Sequence, residues 1–175
     1  MQDIQNGCYD VCTNCLTGGN CCSSFDRINA PVLNKEELIQ LREILKNNDF
    51  YDVVDDNLYK IRLNNNECIF LKNGRCQVYD YRPLDCKLYP FDIIKNDSKY
   101  YLILYQLGCI EEYTVVDNFD CLNDLIEKIK PWIIDYTDDR NYTKMKRLKY
   151  KVIKEIKEWK VWTKKKVFLR LRLTG

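Results

Sequence analysis

Residues 68–91 read CIFLKNGRCQVYDYRPLDCKLYPF, and this stretch decides most of what can be inferred about the fold. Apolar residues flank the Asn-Gly dipeptide at 73–74, and that dipeptide favours the tight turn of a β-hairpin. We therefore expect a hairpin over residues 67–79. It would present Cys68 and Cys76 side by side on its two arms.

The second half of the stretch contains two turn signals. Pro83 fixes its own φ and biases Arg82 toward an extended conformation, so the chain is expected to turn there. The Tyr-Pro-Phe run at 89–91 acts in the same way after Cys86. The turn at Pro83 should therefore bring Cys86 back toward the two cysteines of the hairpin.

A second cysteine-rich stretch lies near the start of the chain, where residues 8–22 read CYDVCTNCLTGGNCC. The whole chain of 175 residues contains ten cysteines and no histidine. Thiolates are good ligands for zinc and for iron–sulfur clusters, and glycines allow the backbone to wrap around an ion. The pattern therefore predicts a metal centre ligated by thiolates. The cysteines are Cys8, Cys12, Cys15, Cys21, Cys22, Cys68, Cys76, Cys86, Cys109 and Cys121.

A disulfide framework is the alternative to a metal centre, since ten cysteines can form five pairs. Disulfide-dense domains are usually small secreted proteins. The first residues, MQDIQNG, show neither the basic start nor the apolar run of a secretory signal. We therefore expect a cytoplasmic protein with reduced cysteines that bind metal.

Charge divides the chain into two parts. Residues 140–175 contain 14 lysines and arginines but only two glutamates, a net charge of +12, whereas residues 1–139 have a net charge of −10. This asymmetry predicts a cysteine-cluster domain over 1–139 and a basic tail over 140–175. No stretch approaches the roughly 20 apolar residues of a membrane span, so no membrane association is expected.

Hydrophobic periodicity predicts an α+β fold. We expect a small cysteine-rich metal-cluster domain with an irregular N-terminal loop over 1–33, a short antiparallel sheet and flanking helices. Asn34 and Glu37 form a capping-box pattern at the start of one helix. A strand is predicted over 100–107 and a helix from 121 to 129, with Leu122, Leu125, Ile126 and Ile129 on its inner face. From about 142 to 166 a long amphipathic helix is predicted, with an apolar stripe at Leu148, Val152, Ile156 and Trp159.

The order of residues in the middle stretch, Cys-x-Phe-Leu, Gly-x-Cys-x-Val-Tyr, Arg-Pro-x-x-Cys and Tyr-Pro-Phe, resembles the signature of the YkgJ family, a zinc- or iron-chelating domain. The family's upstream cysteine element is matched by the cysteines at 12–22, and its later cysteine by Cys109. The resemblance covers about residues 8–125. Cys8 and Cys121 are additional to the pattern, and the gap between Cys15 and Cys21 is wider than usual.

The resemblance implies a site and two possible activities. The family includes the flagellin lysine N-methylases, for which an iron–sulfur cluster and S-adenosylmethionine are implied. We therefore expect an iron–sulfur cluster, of 4Fe–4S type, with zinc as the alternative, and a role in electron transfer, metal handling or protein modification. The alternative function is an S-adenosylmethionine-dependent lysine methyltransferase; no catalytic residue is identified. The predicted metal ligands are Cys12, Cys15, Cys21, Cys22, Cys68, Cys76, Cys86 and Cys109.

Other interpretations of single motifs stay open. The spacing of Cys8, Cys12 and Cys15 matches the cluster triad of radical S-adenosylmethionine enzymes, but no strand-like segment precedes it and no βα repeat follows. Cys121 is either a thiol activated at a helix start or a small buried apolar residue. Arg82 would pair with the negative charge of a cluster, with a substrate carboxylate, or with Asp80 or Asp85 as part of the structure.

The basic tail is expected to dock on the acidic body or on a protein partner. Nucleic acid is the less favoured partner, since basic helix faces are usually just solvated.

Overall fold

The computed structural model describes residues 30–106, 119–138 and 149–157, in which short antiparallel strands alternate with helices. The strands are β1 (Val32–Asn34), β2 (Tyr51–Asp55), β3 (Leu58–Ile61), β4 (Leu63–Asn64), β5 (Glu67–Cys68), β6 (Leu71–Lys72), β7 (Arg75–Cys76), β8 (Phe91–Asn96), β9 (Lys99–Tyr105) and β10 (Tyr150–Ile156). The α-helices are α1 (Lys35–Leu45), α2 (Leu84–Leu88), α3 (Phe119–Ile129) and α4 (Ile133–Asp138). Two 3₁₀ turns, Tyr79–Tyr81 and Lys130–Trp132, precede α2 and α4.

The start of helix α1 confirms the predicted capping box. The Asn34 side chain accepts a hydrogen bond from the Glu37 backbone N–H at 2.9 Å, and the Glu37 carboxylate accepts one from the Asn34 N–H at 3.0 Å. These reciprocal bonds satisfy two donors that a helix start leaves without a partner. The helix ends at Lys46, which adopts a left-handed conformation with φ of 50°.

The strands form two three-stranded sheets and two short ribbons, all antiparallel. The first sheet has the order β1-β3-β2 and the second the order β10-β9-β8, while β4 pairs with β5 and β6 with β7. The strand predicted over 100–107 is therefore confirmed as β9. These sheets and the four helices confirm the predicted α+β fold class.

Two main apolar clusters, with a minor third around Ile94, Ile103 and Tyr105, hold the described residues together. The larger one lies between the second sheet and helices α3 and α4. The face of α3 that the sequence predicted to point inward is buried, and it consists of Leu122, Leu125, Ile126 and Ile129. The smaller cluster packs α1 on the first sheet and includes Phe50, Cys68, Phe70 and Val78.

The helix predicted over 142–166 is wrong between Tyr150 and Ile156, which form strand β10. β10 pairs antiparallel with β9, from Tyr150 opposite Tyr105 to Ile156 opposite Tyr100. The segment is rich in β-branched residues, which pack well on a pleated surface, and β9 supplies the pairing edge. Ile156 is buried, but Val152, predicted to share its face, is half exposed.

Three further features differ from the predictions or fall outside the described residues. The predicted irregular segment 1–33 is wrong at its end, where the buried Val32 and Leu33 lie in β1. Strands β2 and β8 were not predicted; in β8, four consecutive residues from Phe91 to Ile94 are buried, so no alternating pattern marks it. The predicted domain boundary at 139 and 140 lies outside the described residues and stays a prediction.

Among the described residues, none of the helices has the length and apolar character needed to cross a membrane.

Strand β10 leads to a first prediction. Replacing Ile156 by alanine should lower the free energy of unfolding by about 2–5 kcal/mol, because it opens a cavity in the larger cluster. Val152→Ala should cost less than about 1 kcal/mol, since that side chain is half exposed. Urea denaturation measures both. A helix with both residues on its inner face would instead make the two losses similar.

Candidate metal centre

Cys68 and Cys76 each lie at the end of a tight hairpin. Cys68 closes the ribbon β4–β5 opposite Leu63, and Cys76 closes the ribbon β6–β7 opposite Leu71. The prediction that the two cysteines occupy opposite arms of one hairpin is therefore wrong. A second two-residue turn, at residues 65–66, separates the arms of the first ribbon and places Cys68 there.

Both turns have the backbone conformation that tight hairpins require. Asn65 and Asn66 have φ of 51° and 64°, and Asn73 and Gly74 have φ of 51° and 72°. Two consecutive positive φ values are typical of type I′ turns, for which asparagine and glycine are favoured. The tight turn predicted at Asn73-Gly74 is therefore confirmed. The equivalent turn at Asn65-Asn66 was not predicted.

Cys86 lies in the middle of the short helix α2, directly after the Arg82-Pro83 turn. Arg82 is extended, with φ of −55° and ψ of 142°, as a residue before proline is expected to be. Its side chain is buried, stacks on the Tyr79 ring at 3.6 Å and donates from Nε to the Tyr79 carbonyl at 2.9 Å. The turn and the helix together aim Cys86 toward the two ribbons.

The three thiols are close enough to influence one another's ionisation. Burial raises the pKa of Cys68, and the charge of Cys76 raises it further. Burial also raises the pKa of Cys86 well above its ordinary value, with smaller contributions from Asp85, Cys68 and Cys76. For Cys76, burial raises the pKa while the nearby Arg82 guanidinium lowers it. Without a cation, all three therefore favour the neutral thiol.

This environment fits a thiophilic metal ion. A bound cation supplies the positive charge that the buried thiolate of Cys68 and the partly buried thiolates of Cys76 and Cys86 lack, and metal binding releases their protons. The described residues do not form a complete site, because no group of three or more Cys, Asp or Glu side chains among them is arranged to hold an ion. The other five predicted ligands lie outside the described residues: Cys12, Cys15, Cys21, Cys22 and Cys109.

Cys121 differs from the other three described cysteines. It lies in the first turn of α3, as predicted, but it is disulfide-bonded. Cys68, Cys76 and Cys86 are free thiols. The expectation that every cysteine is reduced is therefore wrong at Cys121. Its sulfur forms a disulfide, so it is neither an activated thiol nor a free thiol that serves as a small apolar residue.

Glu37 is a residue of the site region whose long-range role the sequence did not reveal. Besides capping its own helix, it accepts a hydrogen bond on Oε1 from the Leu84 N–H, the first amide of α2, at 2.6 Å. Burial of its carboxyl group raises its pKa to about 7, although these backbone N–H groups lower it. Its capping-box pattern was visible in the sequence, but a contact across 47 positions leaves no local signal.

Asp85 provides a second anchor for helix α2. Its Oδ2 accepts a hydrogen bond from the Val32 N–H at 3.0 Å, and its Oδ1 accepts one from the Tyr136 hydroxyl at 2.7 Å. The helix of five residues that carries Cys86 is thus tied to β1 and to α4. The sequence indicated Asp85 only as a partner of Arg82, and its contacts with Val32 and Tyr136 were not predicted.

The raised pKa of Glu37 predicts a change of stability with pH. The folded pKa of about 7 exceeds the ordinary value of 4.5, so the native state binds the proton more tightly. Stability from this group is therefore fully present below about pH 4.5 and is lost as the pH rises to about 7. Glu37→Gln keeps a capping side chain without the charge. We expect the difference in unfolding free energy between Glu37→Gln and wild type to shift in favour of the variant across this range. A difference that is independent of pH would contradict the assignment.

Comparison with known proteins identifies the family of the chain. A search of curated proteins and a search of solved structures found no significant match. A family model does match residues 11–114; it is named CxxCxxCC and described as a "putative zinc- or iron-chelating domain". The matched range includes all eight predicted ligands and excludes Cys8 and Cys121. Because the match spans more than half of the sequence, the chain belongs to this family of cysteine-cluster chelating domains.

Proposed function

We propose that the protein holds an iron–sulfur cluster through cysteine thiolates and uses it in electron transfer, metal handling or protein modification. The family membership supports metal chelation in general. The single observation that carries the proposal further is the grouping of three free thiols, on two ribbons and one helix, in surroundings that oppose their ionisation. A bound metal would reverse that preference.

The donor set supports thiolate-only ligation. The chain has no histidine, so the imidazole ligands common in zinc sites are not available to it. Cysteine thiolates hold both iron–sulfur clusters and four-cysteine zinc sites. Cys68, Cys76 and Cys86 would supply ligands from the described part of the site. The remaining ligands would come from Cys12, Cys15, Cys21, Cys22 and Cys109.

Lysine methylation with S-adenosylmethionine is the alternative function. It rests on the family resemblance alone and stays a prediction.

We propose that a protein partner binds the basic segment at residues 140–175. Residues 140–175 carry a net charge of +12, and within them β10 places Lys151 on an exposed part of the second sheet. An acidic protein surface would complement this charge and increase the rate of association. The pairing of β10 with β9 supports a tail that is part of the folded body rather than a separate arm.

Cys86→Ser tests the proposed ligand set. If Cys86 is a ligand, the variant purified without oxygen should lose more than about half of its bound iron and sulfide, because serine is a poor replacement for a thiolate. Elemental analysis and visible absorbance measure the loss. Val78→Ala is the control, since Val78 is buried beside Cys68 but offers no ligand. Retention of all metal by Cys86→Ser, or an equal loss in folded Val78→Ala, would contradict the assignment.

The metal found in the wild-type protein tests the iron–sulfur cluster and metal chelation separately. Iron with inorganic sulfide would support it. Zinc without iron would contradict the cluster and leave chelation intact, whereas folded protein without any metal would contradict both.

Because we propose a protein partner for the basic segment, we predict that it binds nucleic acid only weakly. Affinity gained through phosphate contacts falls with salt at a log–log slope of about −0.9 per contact on duplex DNA. We expect the full chain to bind a duplex oligonucleotide only weakly at physiological salt. Tight binding with a steep salt slope in a fluorescence-anisotropy titration would contradict a protein partner for this surface.

A further inference from the structure

A chain of buried carboxylates and phenols runs from Tyr105, in a small apolar cluster with Ile94 and Ile103, to Tyr136 in the larger cluster, and on to the helix that carries Cys86. The Tyr105 hydroxyl donates to Asp92 Oδ2. Asp92 Oδ1 accepts from the Ile93 N–H at 2.7 Å and lies 2.8 Å from the Tyr136 hydroxyl. The shorter contact of that hydroxyl is to Asp85 Oδ1 at 2.7 Å, and there it donates its single proton. The series therefore connects β9, β8, α4 and α2.

Burial makes this chain costly unless its hydrogen bonds are kept. Tyr136 is completely buried, and Tyr105 and Asp92 are each only 2% exposed. A buried polar group without hydrogen bonds costs about 1–3 kcal/mol. The Tyr136 ring is held in turn by an edge-to-face contact with Trp132, with centroids 5.2 Å apart. The position of the Tyr136 hydroxyl is thus fixed by packing and by two carboxylates.

Helix α2 depends on such contacts for its position. It has only five residues, and isolated helices of that length are not stable in water. Its first amide is bonded by Glu37, and its second residue, Asp85, is bonded by the Val32 N–H and by Tyr136. Cys86 is the next residue. A shift of Asp85 therefore moves the Cys86 thiol directly.

We propose that Tyr136 is a positioning residue for the metal-ligating thiolate of Cys86, acting through its hydrogen bond to Asp85. The inference rests on the proposed metal centre, because it assigns Tyr136 a role only if Cys86 is a ligand. Groups that hold a metal ligand in place typically change metal affinity by about 10–100-fold when they are removed. The Tyr136 hydroxyl acts on Cys86 through the neighbouring residue Asp85, so its effect would be indirect.

Tyr136→Phe tests the proposal, because it removes one hydroxyl and keeps the ring contact with Trp132. Thr137→Val is the matched control. It removes a neighbouring buried hydroxyl that bonds to the Ile133 and Ile134 carbonyls of its own helix. Both variants and wild type, prepared without oxygen and with the cluster replaced by cobalt(II), are titrated against a competing chelator. Thiolate-to-cobalt charge-transfer bands are recorded for each, and urea denaturation gives the stability.

We expect Tyr136→Phe to weaken cobalt binding about 10–100-fold and to alter the charge-transfer bands. Thr137→Val should change the affinity less than about threefold, even where it costs similar stability. Unchanged affinity and bands in Tyr136→Phe would overturn the positioning role, and so would equal losses in both variants. Wild-type protein that shows neither cobalt–thiolate bands nor, before the exchange, bound iron and sulfide would instead overturn the proposed metal centre itself.

If Tyr136→Phe does not fold, Tyr105→Phe takes its place. That hydroxyl lies one step further along the chain, on Asp92, and its removal should weaken cobalt binding in the same direction but by a smaller factor. Affinity equal to that of wild type in Tyr105→Phe would then overturn the inference.

Discussion

The cost of ionising a buried thiol is the constraint on which the candidate site depends. Cys68, Cys76 and Cys86 are brought together by two ribbons and a short helix, and burial is the largest cause of the raised pKa at each. Arg82 offsets only part of that cost. Such a group is neutralised either by a proton or by a bound metal ion. The family to which the chain belongs is consistent with the second state.

The surrounding fold serves to hold these three sulfurs. The ribbons are fixed by tight turns, each with two residues at positive φ, so Cys68 and Cys76 are set by local geometry. Cys86 has no comparable local support and depends on side chains from distant elements. On its helix, the Leu84 N–H donates to Glu37 from α1, and Asp85 accepts from the Tyr136 hydroxyl of α4. Because these bonds join both apolar clusters to one helix, changes in packing far from the thiols can act on the site.

Sequence analysis was most successful where the signal was local. The capping box of α1, the inner face of α3 and the turn at 73–74 were predicted because each depends on residues within one or two turns of chain. The tail was misread because Val152 and Ile156, four residues apart, fit both a helical stripe and alternate positions of a strand. The edge of β9 decided between them. Contacts of Asp85 with Val32 and Tyr136 span more than 50 residues, and a single sequence has no pattern that reveals them.

The central claim is that the metal is ligated by cysteine sulfur. X-ray absorption at the metal edge of protein purified without oxygen tests it most directly, since the fine structure identifies the nearest neighbours of the ion. The account predicts sulfur as the nearest neighbour at every position of the first shell, with an iron–iron distance in addition for a cluster. A first shell made of oxygen or nitrogen would contradict it, because the thiols of the ribbons and of α2 would then not be the ligands.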